Sequence, residues 1–126
     1  NQVKNEYEYS EKNKIHIDIL PHIKSSDYIS LIQGCEVLIG NSSSGIRESS
    51  YLGIKSLNIG NRQRYRVRSS NVIDCDMSEE SIKKSLTIQI KSKKSKKSNI
   101  YGDGNSGNRI ISIIEKLKPS IKETKL

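Results

Sequence analysis

The apolar residues of this chain come in short blocks that are separated by turn residues. The blocks are built mostly from Ile, Leu and Val, and neither Phe nor Trp occurs in the 126 residues. Strands that are covered on both faces read as continuous apolar runs, whereas strands with one solvated face alternate apolar and polar residues. The sequence therefore predicts an α/β fold in which helical crossovers connect the strands of a buried parallel sheet.

We predict the order βαβαβ for the first half of the chain. The strands are predicted at residues 15–20, 37–40 and 56–59. A pair of serines at positions 25 and 26 can cap the first helix, because a serine hydroxyl accepts from the first free backbone amides. The second helix is predicted at residues 46–52, and Gly53 follows it as a typical C-terminal stop.

The second half of the chain continues with one short strand and two helices. The strand is predicted at residues 71–75, and Ser78 caps the helix that follows it. Residues 92–99 are low in complexity and predict a loop. The last helix carries an apolar stripe and ends before Pro119, which cannot continue a helix.

The length of the chain suits a single domain. We assign residues 1–118 to part of a doubly wound α/β domain and residues 119–126 to a frayed tail. A sheet of three or four strands normally has further strands along one edge, and the polar residues 1–14 supply none. We therefore expect the second part of a doubly wound domain whose first βα units lie upstream.

The formal net charge of +8 is concentrated in one stretch of the chain. Residues 83–97 contain seven lysines and no acidic residue. Aromatic side chains, on which nucleic-acid bases stack, are also missing from this stretch. We expect solvated lysines on a helix end and a loop, without a nucleic-acid partner. An RNA-binding use of the lysines is the alternative, and it would make binding steeply dependent on salt.

The two cysteines, Cys35 and Cys75, form no CxxC motif. Their spacing indicates neither a disulfide framework nor a zinc site, so we expect reduced thiols in a cytoplasmic protein without a metal or another cofactor. The sequence has no apolar run of about 18 residues and no apolar signal core at its start. We therefore expect no association with a membrane.

A buried strand runs directly into small hydroxyl residues at Gly40-Asn41-Ser42-Ser43-Ser44-Gly45. Ligands of open α/β sheets bind beyond the carboxyl ends of the strands, where a helix N-terminus can offer N–H groups to a phosphate. The serine hydroxyls would add further donors, and Glu48 can accept hydrogen bonds from a ribose diol. The alternative is a serine-rich helix cap without a ligand.

The next predicted strand ends in the segment Asn58-Ile59-Gly60-Asn61-Arg62-Gln63. Because the carboxyl ends of parallel strands meet at one edge of a sheet, we expect this segment and the serine segment on the same rim. Arg62 suits a diphosphate, since a guanidinium can make paired hydrogen bonds with phosphate oxygens. An ordinary solvated loop is the alternative.

These two motifs, together with two later segments, resemble the C-terminal half of the UDP-N-acetylglucosamine 2-epimerase family. The later segments are Arg66 with Asn71-Val72-Ile73, and Tyr101-Gly102-Asp103-Gly104-Asn105. The resemblance is closest to the hydrolysing branch and runs from about Ile15 to Leu117. It implies a partial C-terminal domain of a GT-B type fold, in which two Rossmann-like domains hold a UDP-sugar in the cleft between them.

The resemblance also implies which residues bind the UDP part of the substrate. They are Ser42 and Ser43 for the diphosphate, Glu48 for the ribose, Arg62 for the UDP and, near the uracil, the backbone of Ile23. Pro21 and His22 correspond to positions at which the animal enzyme binds its feedback inhibitor, a CMP-linked sialic acid.

The hydrolysing branch converts UDP-N-acetylglucosamine and water into N-acetylmannosamine and UDP. Its acid and base groups lie chiefly in the N-terminal domain, which we expect outside this chain. The resemblance therefore implies a UDP-sugar or UDP as ligand, and the missing N-terminal domain as a partner. We further expect a homo-oligomer, no catalytic residue in these 126 residues, and no activity of the chain alone.

Three other interpretations stay open. The non-hydrolysing branch tends to carry Asp-Ser-Gly-Gly-Ile-Gln-Glu-Glu at the first motif, whereas Ser49 stands here in place of the last acid, which favours the hydrolysing branch. A second alternative is a nucleotide-binding or regulatory module without catalysis. A glycosyltransferase of the same fold is the third.

Overall fold

The computed structural model of the chain describes residues 12–117. The described residues fall into two compact units, of which the first ends at Ser30 and the second begins at Leu31. In chain order the elements are α1 (Ser25–Gly34), β1 (Leu38–Gly40), a 3-10 turn (Ser43–Gly45), α2 (Glu48–Leu52), β2 (Ser56–Ile59), β3 (Val72–Cys75), α3 (Glu79–Lys91) and α4 (Ser106–Leu117).

The strands form a parallel sheet in the order β1, β2, β3. Leu38 is opposite Ser56, and Ser56 is opposite Val72. The 3-10 turn and α2 lie in the connection from β1 to β2, and α3 packs against β2 and β3. The predicted α/β class, with a parallel sheet and a helical crossover, is confirmed.

The first predicted strand is wrong. Residues 15–20 are not part of any strand in the described portion of the chain. Ile15, Ile19 and Leu20 are also substantially exposed. A strand needs a neighbouring strand for its backbone N–H and C=O groups. Alternating apolar and polar residues give the period of a strand but cannot show that such a neighbour exists, so the predicted βαβαβ order loses its first element.

The other predicted elements occur close to their expected places. The hydroxyl of Ser78 accepts a hydrogen bond from the backbone N–H of Ser81 and caps α3 as predicted. Gly53 ends α2 with a φ of 71°. The helix predicted at residues 46–52 is shorter than expected, because the 3-10 turn precedes it and α2 begins only at Glu48.

The lysine-rich segment at residues 92–99 is a loop with an anchored backbone. The N–H of Ser98 donates to the carbonyl of Ser50 at 2.9 Å. Gly53 lies so close to this loop that a Cβ atom there would be 2.6 Å from the carbonyl oxygen of Ser95. The lysines of residues 83–97 are all exposed, which confirms the predicted solvated loop and helix end.

The core combines few apolar side chains with a satisfied polar network. Asn71 is 1% exposed; its amide nitrogen donates to Ser49 Oγ at 3.0 Å, and its amide oxygen accepts from Ser50 Oγ at 2.9 Å. Because both sides of the amide are paired, its burial carries no desolvation penalty from an unmade bond. The buried apolar residues are Ile32, Ile46, Ile54, Leu57 and Cys75.

Two buried side chains connect α3 to the sheet. Gln89 of α3 donates to the carbonyl of Ser56 in β2 at 2.6 Å. Lys55, just before β2, forms an ion pair with Glu36 and donates to the carbonyl of Ile90 at 3.1 Å. The ammonium group thus satisfies a carbonyl at the C-terminal end of α3, where a positive charge is favoured.

The last helix, α4, carries the predicted apolar stripe on an exposed surface. Its larger apolar residues are all more than half exposed: Ile110, Ile111, Ile113, Ile114 and Leu117. Among residues 12–117, none of the helices is both long enough and apolar enough to cross a membrane. Pro119 and the predicted tail at residues 119–126 lie outside the described residues.

Candidate functional site

Two loops follow the adjacent parallel strands β1 and β2 at their carboxyl ends. We call residues 41–45 the serine loop and residues 60–69 the arginine loop. The side-chain amide of Gln63 donates to the backbone carbonyl of Asn41 at 2.8 Å, and Gln63 is 5% exposed. The predicted common rim is confirmed, and a buried amide joins its two loops.

The backbone of the serine loop is hydrogen-bonded within the 3-10 turn. Ser42 caps the turn, because its Oγ accepts from the N–H of Ser44 at 3.3 Å. The N–H groups of Ile46 and Arg47 both donate to the carbonyl of Ser43, at 3.0 and 2.9 Å. These amides are used inside the turn, so they are not the free N–H groups that the sequence predicted for a phosphate. The loop offers hydroxyl groups instead, with Ser42 exposed and Ser43 half-buried.

Gly45 allows the serine loop to lie close against the sheet. A Cβ atom at this position would be 2.9 Å from the hydroxyl oxygen of Ser56 in β2. The carbonyl of Gly45 also accepts a hydrogen bond from Ser49 Oγ of α2 at 2.7 Å. Glycine therefore allows this close approach, and with a larger side chain either the Ser56 hydroxyl or the loop would have to shift.

Glu48 opens α2 beside the serine loop and is half-buried. Its Oε2 atom is shielded from solvent and has no hydrogen-bond partner among residues 12–117. Leaving a buried acceptor unpaired costs about 1–3 kcal/mol, and more for a charged group. A hydroxyl donor that reached this carboxylate would reduce that cost.

Arg68 holds the arginine loop from within. Its Nε and Nη2 atoms donate to the carboxylate of Asp74 in β3, at distances of 3.0 to 3.1 Å. Its Nη1 atom donates to the carbonyl of Gln63 at 2.8 Å and to the carbonyl of Arg66. These bonds make Arg68 part of the loop's structure.

The remaining arginines of the loop have other surroundings. The guanidinium of Arg64 lies over the ring of Tyr65, 4.4 Å from its centroid. The side chains of Arg62 and Arg66 are exposed. In the sequence, the arginines of this loop look equivalent, because they occupy every second position from 62 to 68. The structure gives them different surroundings and leaves Arg62 accessible to a ligand.

Asp74 is the anchor of the arginine loop on the sheet. Burial alone would raise its pKa, but hydrogen bonds from Arg68 and from the Asn58 amide, the latter at 2.6 Å, outweigh burial and hold the pKa of this carboxyl below its usual value. The ionised form and its pairing are thus present at neutral pH and are lost as the pH falls through this lowered pKa. The contact between Asn58 and Asp74 was not predicted from the sequence, although a polar Asn between two apolar strand residues was a signal.

A groove of about 380 Å³ opens beside the arginine loop at the ends of β2 and β3. It is lined by Gly60, Asn61, Cys75, Asp76 and Met77. Burial, followed by the neighbouring Asp76 and Asp74 carboxylates, raises the pKa of the Cys75 thiol, so the thiol is protonated at neutral pH. Cys35 and Cys75 are both free.

Three other predicted ligand residues lie in the first unit, in the segment immediately before α1. Pro21 and His22 are exposed, and Ile23 is half-buried. Their contacts with a nucleotide or an inhibitor stay predictions.

The sheet and its rim define an α/β domain of the class that binds ligands beyond the carboxyl ends of parallel strands. The family model for UDP-N-acetylglucosamine 2-epimerase matches residues 2–115. The chain belongs to this family, which confirms the resemblance that the motifs indicated.

Three similar proteins illustrate the likeness. The chain is 35% identical over 99 residues to the UDP-N,N'-diacetylbacillosamine 2-epimerase (hydrolyzing) of Legionella pneumophila, covering 79% of this chain and 26% of that protein. It is 38% identical over 71 residues to the GDP/UDP-N,N'-diacetylbacillosamine 2-epimerase (hydrolyzing) of Campylobacter jejuni, covering 56% and 18%. It is 42% identical over 66 residues to the polysialic acid biosynthesis protein P7 of Escherichia coli, covering 52% and 17%.

The chain thus spans about a quarter or less of the length of these relatives. Two of the three relatives carry the word hydrolyzing in their names, in agreement with the predicted likeness to the hydrolysing branch.

Proposed function

We propose that this chain is the UDP-binding C-terminal part of a hydrolysing UDP-N-acetylglucosamine 2-epimerase. The complete protein would convert UDP-N-acetylglucosamine and water into N-acetylmannosamine and UDP. The observation that supports this most is the bond between Gln63 and Asn41, since it brings two motifs of the family together on one rim.

Each residue of the rim has a chemical role in this proposal. The hydroxyls of Ser42 and Ser43 donate to the diphosphate, and Arg62 pairs with it. Glu48 accepts from the ribose hydroxyls. Donors fixed around the leaving diphosphate stabilise the negative charge that develops on it as the bond to the sugar breaks.

The proton transfers at the sugar belong to another part of the protein in this proposal. We assign them to an N-terminal domain of the same protein, and we expect further copies of the protein to associate with it. A cytoplasmic location is also proposed, because the free thiols of Cys35 and Cys75 fit a reducing compartment.

The names of two relatives favour a second candidate substrate, UDP-N,N'-diacetylbacillosamine. Both candidates contain UDP, so the rim would hold them in the same way. The discriminating measurement is UDP release from each nucleotide-sugar by a protein of full family length that contains this chain. A higher kcat/KM for the diacetylated sugar would replace the first candidate with the second.

Two matched alanine variants test where UDP binds. Arg62→Ala should weaken UDP binding by about 1–3 kcal/mol, because a charge-assisted hydrogen bond to a phosphate contributes in that range. Lys94→Ala removes the same charge from the solvated loop and should change binding by almost nothing. Isothermal calorimetry with UDP measures both. Equal losses would move the site toward the lysine-rich stretch and contradict the proposal.

A further inference from the structure

Arg68 lies six positions after Arg62 but directs its guanidinium into the protein. Four of its five N–H groups are engaged, two with the Asp74 carboxylate and two with the carbonyls of Gln63 and Arg66. Its side chain is 23% exposed. A guanidinium used in this way has little capacity left for a ligand.

We propose that Arg68 is a positioning residue that holds the arginine loop so that Arg62 and the serine loop meet the same diphosphate. This inference rests on the proposed UDP site. The contacts form a short path through Gln63. The Gln63 carbonyl accepts from Arg68 at 2.8 Å, and the Gln63 amide donates to Asn41 at 2.8 Å. Gln63 directly follows Arg62 in the chain, so the bonds that hold Gln63 also restrict where the backbone of Arg62 can lie.

The opposite end of this path is attached to the sheet. Asp74 belongs to β3, and its carboxylate accepts a hydrogen bond from the side-chain amide of Asn58 in β2. Asn58 is 1% exposed. The Tyr101 hydroxyl adds a second support, since it donates to the carbonyl of Val67 at 2.6 Å. Arg68 therefore connects Asp74, an exposed residue of β3, and through it the buried Asn58 of β2 to the loop that carries Arg62.

A lysine at this position would keep the positive charge of Arg68 and remove its planar guanidinium group. Its ammonium group can pair with Asp74, but it is a single point charge and cannot also hold the two carbonyls in the directions of a planar fork. Arg68→Lys is therefore expected to keep most of the ion pair and lose the hold on the loop.

The experiment is an NMR titration of the chain with UDP, which measures weak dissociation constants and reports folding in the same spectra. Arg68→Lys should weaken UDP binding by about tenfold when Arg62 is present. When Arg62 is already replaced by alanine, the same substitution should weaken binding by less than about twofold, because the effects of two residues that act through each other do not add. The matched control is Arg109→Lys. Arg109 also pairs with an aspartate six residues away, Asp103, at 2.6 to 2.8 Å, but outside the two loops. It should change UDP binding by less than about twofold.

The possible results separate this inference from the proposed function. An unmodified chain that does not bind UDP overturns the proposed function and the inference with it. The inference alone is overturned if the unmodified chain binds UDP but Arg68→Lys causes no loss of UDP affinity. It is also overturned if Arg68→Lys causes the same loss of affinity with Arg62 present and with Arg62 replaced by alanine. If Arg68→Lys does not fold, Asp74→Asn replaces it, and the same dependence on Arg62 is expected. A lower melting temperature with unchanged UDP affinity would show a purely structural role and would also overturn the inference.

Discussion

Side chains of one type have different roles in the two loops, and their hydrogen-bond partners separate these roles. Ser42 caps the 3-10 turn, whereas Ser43 contributes its carbonyl to the turn and keeps a half-buried side chain. Arg68 is engaged within the protein, whereas Arg62 is exposed. Residues that look equivalent in the sequence should therefore respond differently to substitution.

Ser43→Ala should alter thermal stability little without UDP, because the cap is provided by Ser42. With UDP present, the variant should lose most of the ligand-induced rise in melting temperature, since that rise depends on the ligand concentration relative to its dissociation constant. Ser42→Ala is the comparison, and it should lower the free energy of unfolding by about 1 kcal/mol even without UDP. Thermal melts with and without UDP measure both. An equal drop for Ser43→Ala in the two conditions would indicate a structural role and no phosphate contact.

Asp103 should titrate with an unusually low pKa. Arg109, followed by the backbone N–H of Asn105, lowers the pKa of this carboxyl from 3.8 to about 2. Because the folded-state pKa is the lower one, the stabilising interaction is complete above pH 3.8 and is lost as the pH falls through about 2. In Arg109→Gln the pKa should rise toward 3.8, as measured by NMR titration of the carboxyl carbon.

Asp76 is the internal control for this titration. Hydrogen bonds from Ser78 lower the pKa of Asp76, and Arg109 makes no contribution to this shift. The Asp76 titration should therefore be the same in both proteins. An unchanged Asp103 pKa in Arg109→Gln would show that the ion pair does not form in solution.

The helices and loops of this chain depend on a few close backbone contacts. α2 has only five residues and ends at Gly53, which lies against the lysine-rich loop at residues 92–99. A helix this short is not stable by itself, so its position follows from tertiary contacts. Its glycine stop and the loop that covers it should therefore be sensitive to added side-chain volume.

Gly53→Ala should destabilise the protein by about 1–3 kcal/mol, because alanine is strained at positive φ and its Cβ would meet the Ser95 carbonyl. Gly107→Ala is the matched control within α4. No atom lies within 4 Å of a Cβ at that position, and alanine should stabilise the helix by up to about 1 kcal/mol. Urea unfolding measures the two free energies. Similar effects of the two substitutions would contradict the close contact at Gly53.

The second unit as a whole presents the proposed ligand rim on a small sheet. Both loops of the rim are local to β1, β2 and β3, so the UDP contacts proposed for Ser42, Ser43, Glu48 and Arg62 do not require a longer chain. The proposed proton transfers do require one. Binding and turnover are therefore expected to separate in a protein of this length.

The 126-residue chain should bind UDP weakly and release no product from UDP-N-acetylglucosamine. An incomplete cleft cannot orient the sugar, and orientation supplies a large part of an enzyme's rate advantage. The measurement is UDP and N-acetylmannosamine release over hours, with the Arg62→Ala chain as a control for contaminating activity. Release of N-acetylmannosamine that disappears in Arg62→Ala would contradict this prediction.

The parallel sheet and the rim were predictable from local sequence patterns. The blocks of apolar residues predicted the bounds of β1, β2 and β3 to within about one residue. The loops at residues 41–45 and 60–69 follow two of these strands. Parallel strands place successive carboxyl ends on one edge, so this part of the site follows from connectivity alone. Ser78 and Gly53 were also predictable, because a helix cap and a helix stop depend on neighbouring residues only.

Which residues make the contacts of the site depends on the three-dimensional packing of the chain. The polar network of Asn71, the path from Arg68 to Asn41 and the failure of residues 15–20 to form a strand all depend on atoms distant in the sequence. A periodic pattern reports local geometry, whereas a hydrogen bond or a strand pairing needs a partner that the pattern does not contain. For that reason the location of the rim was predictable, and the distinct roles of Arg62 and Arg68 were not.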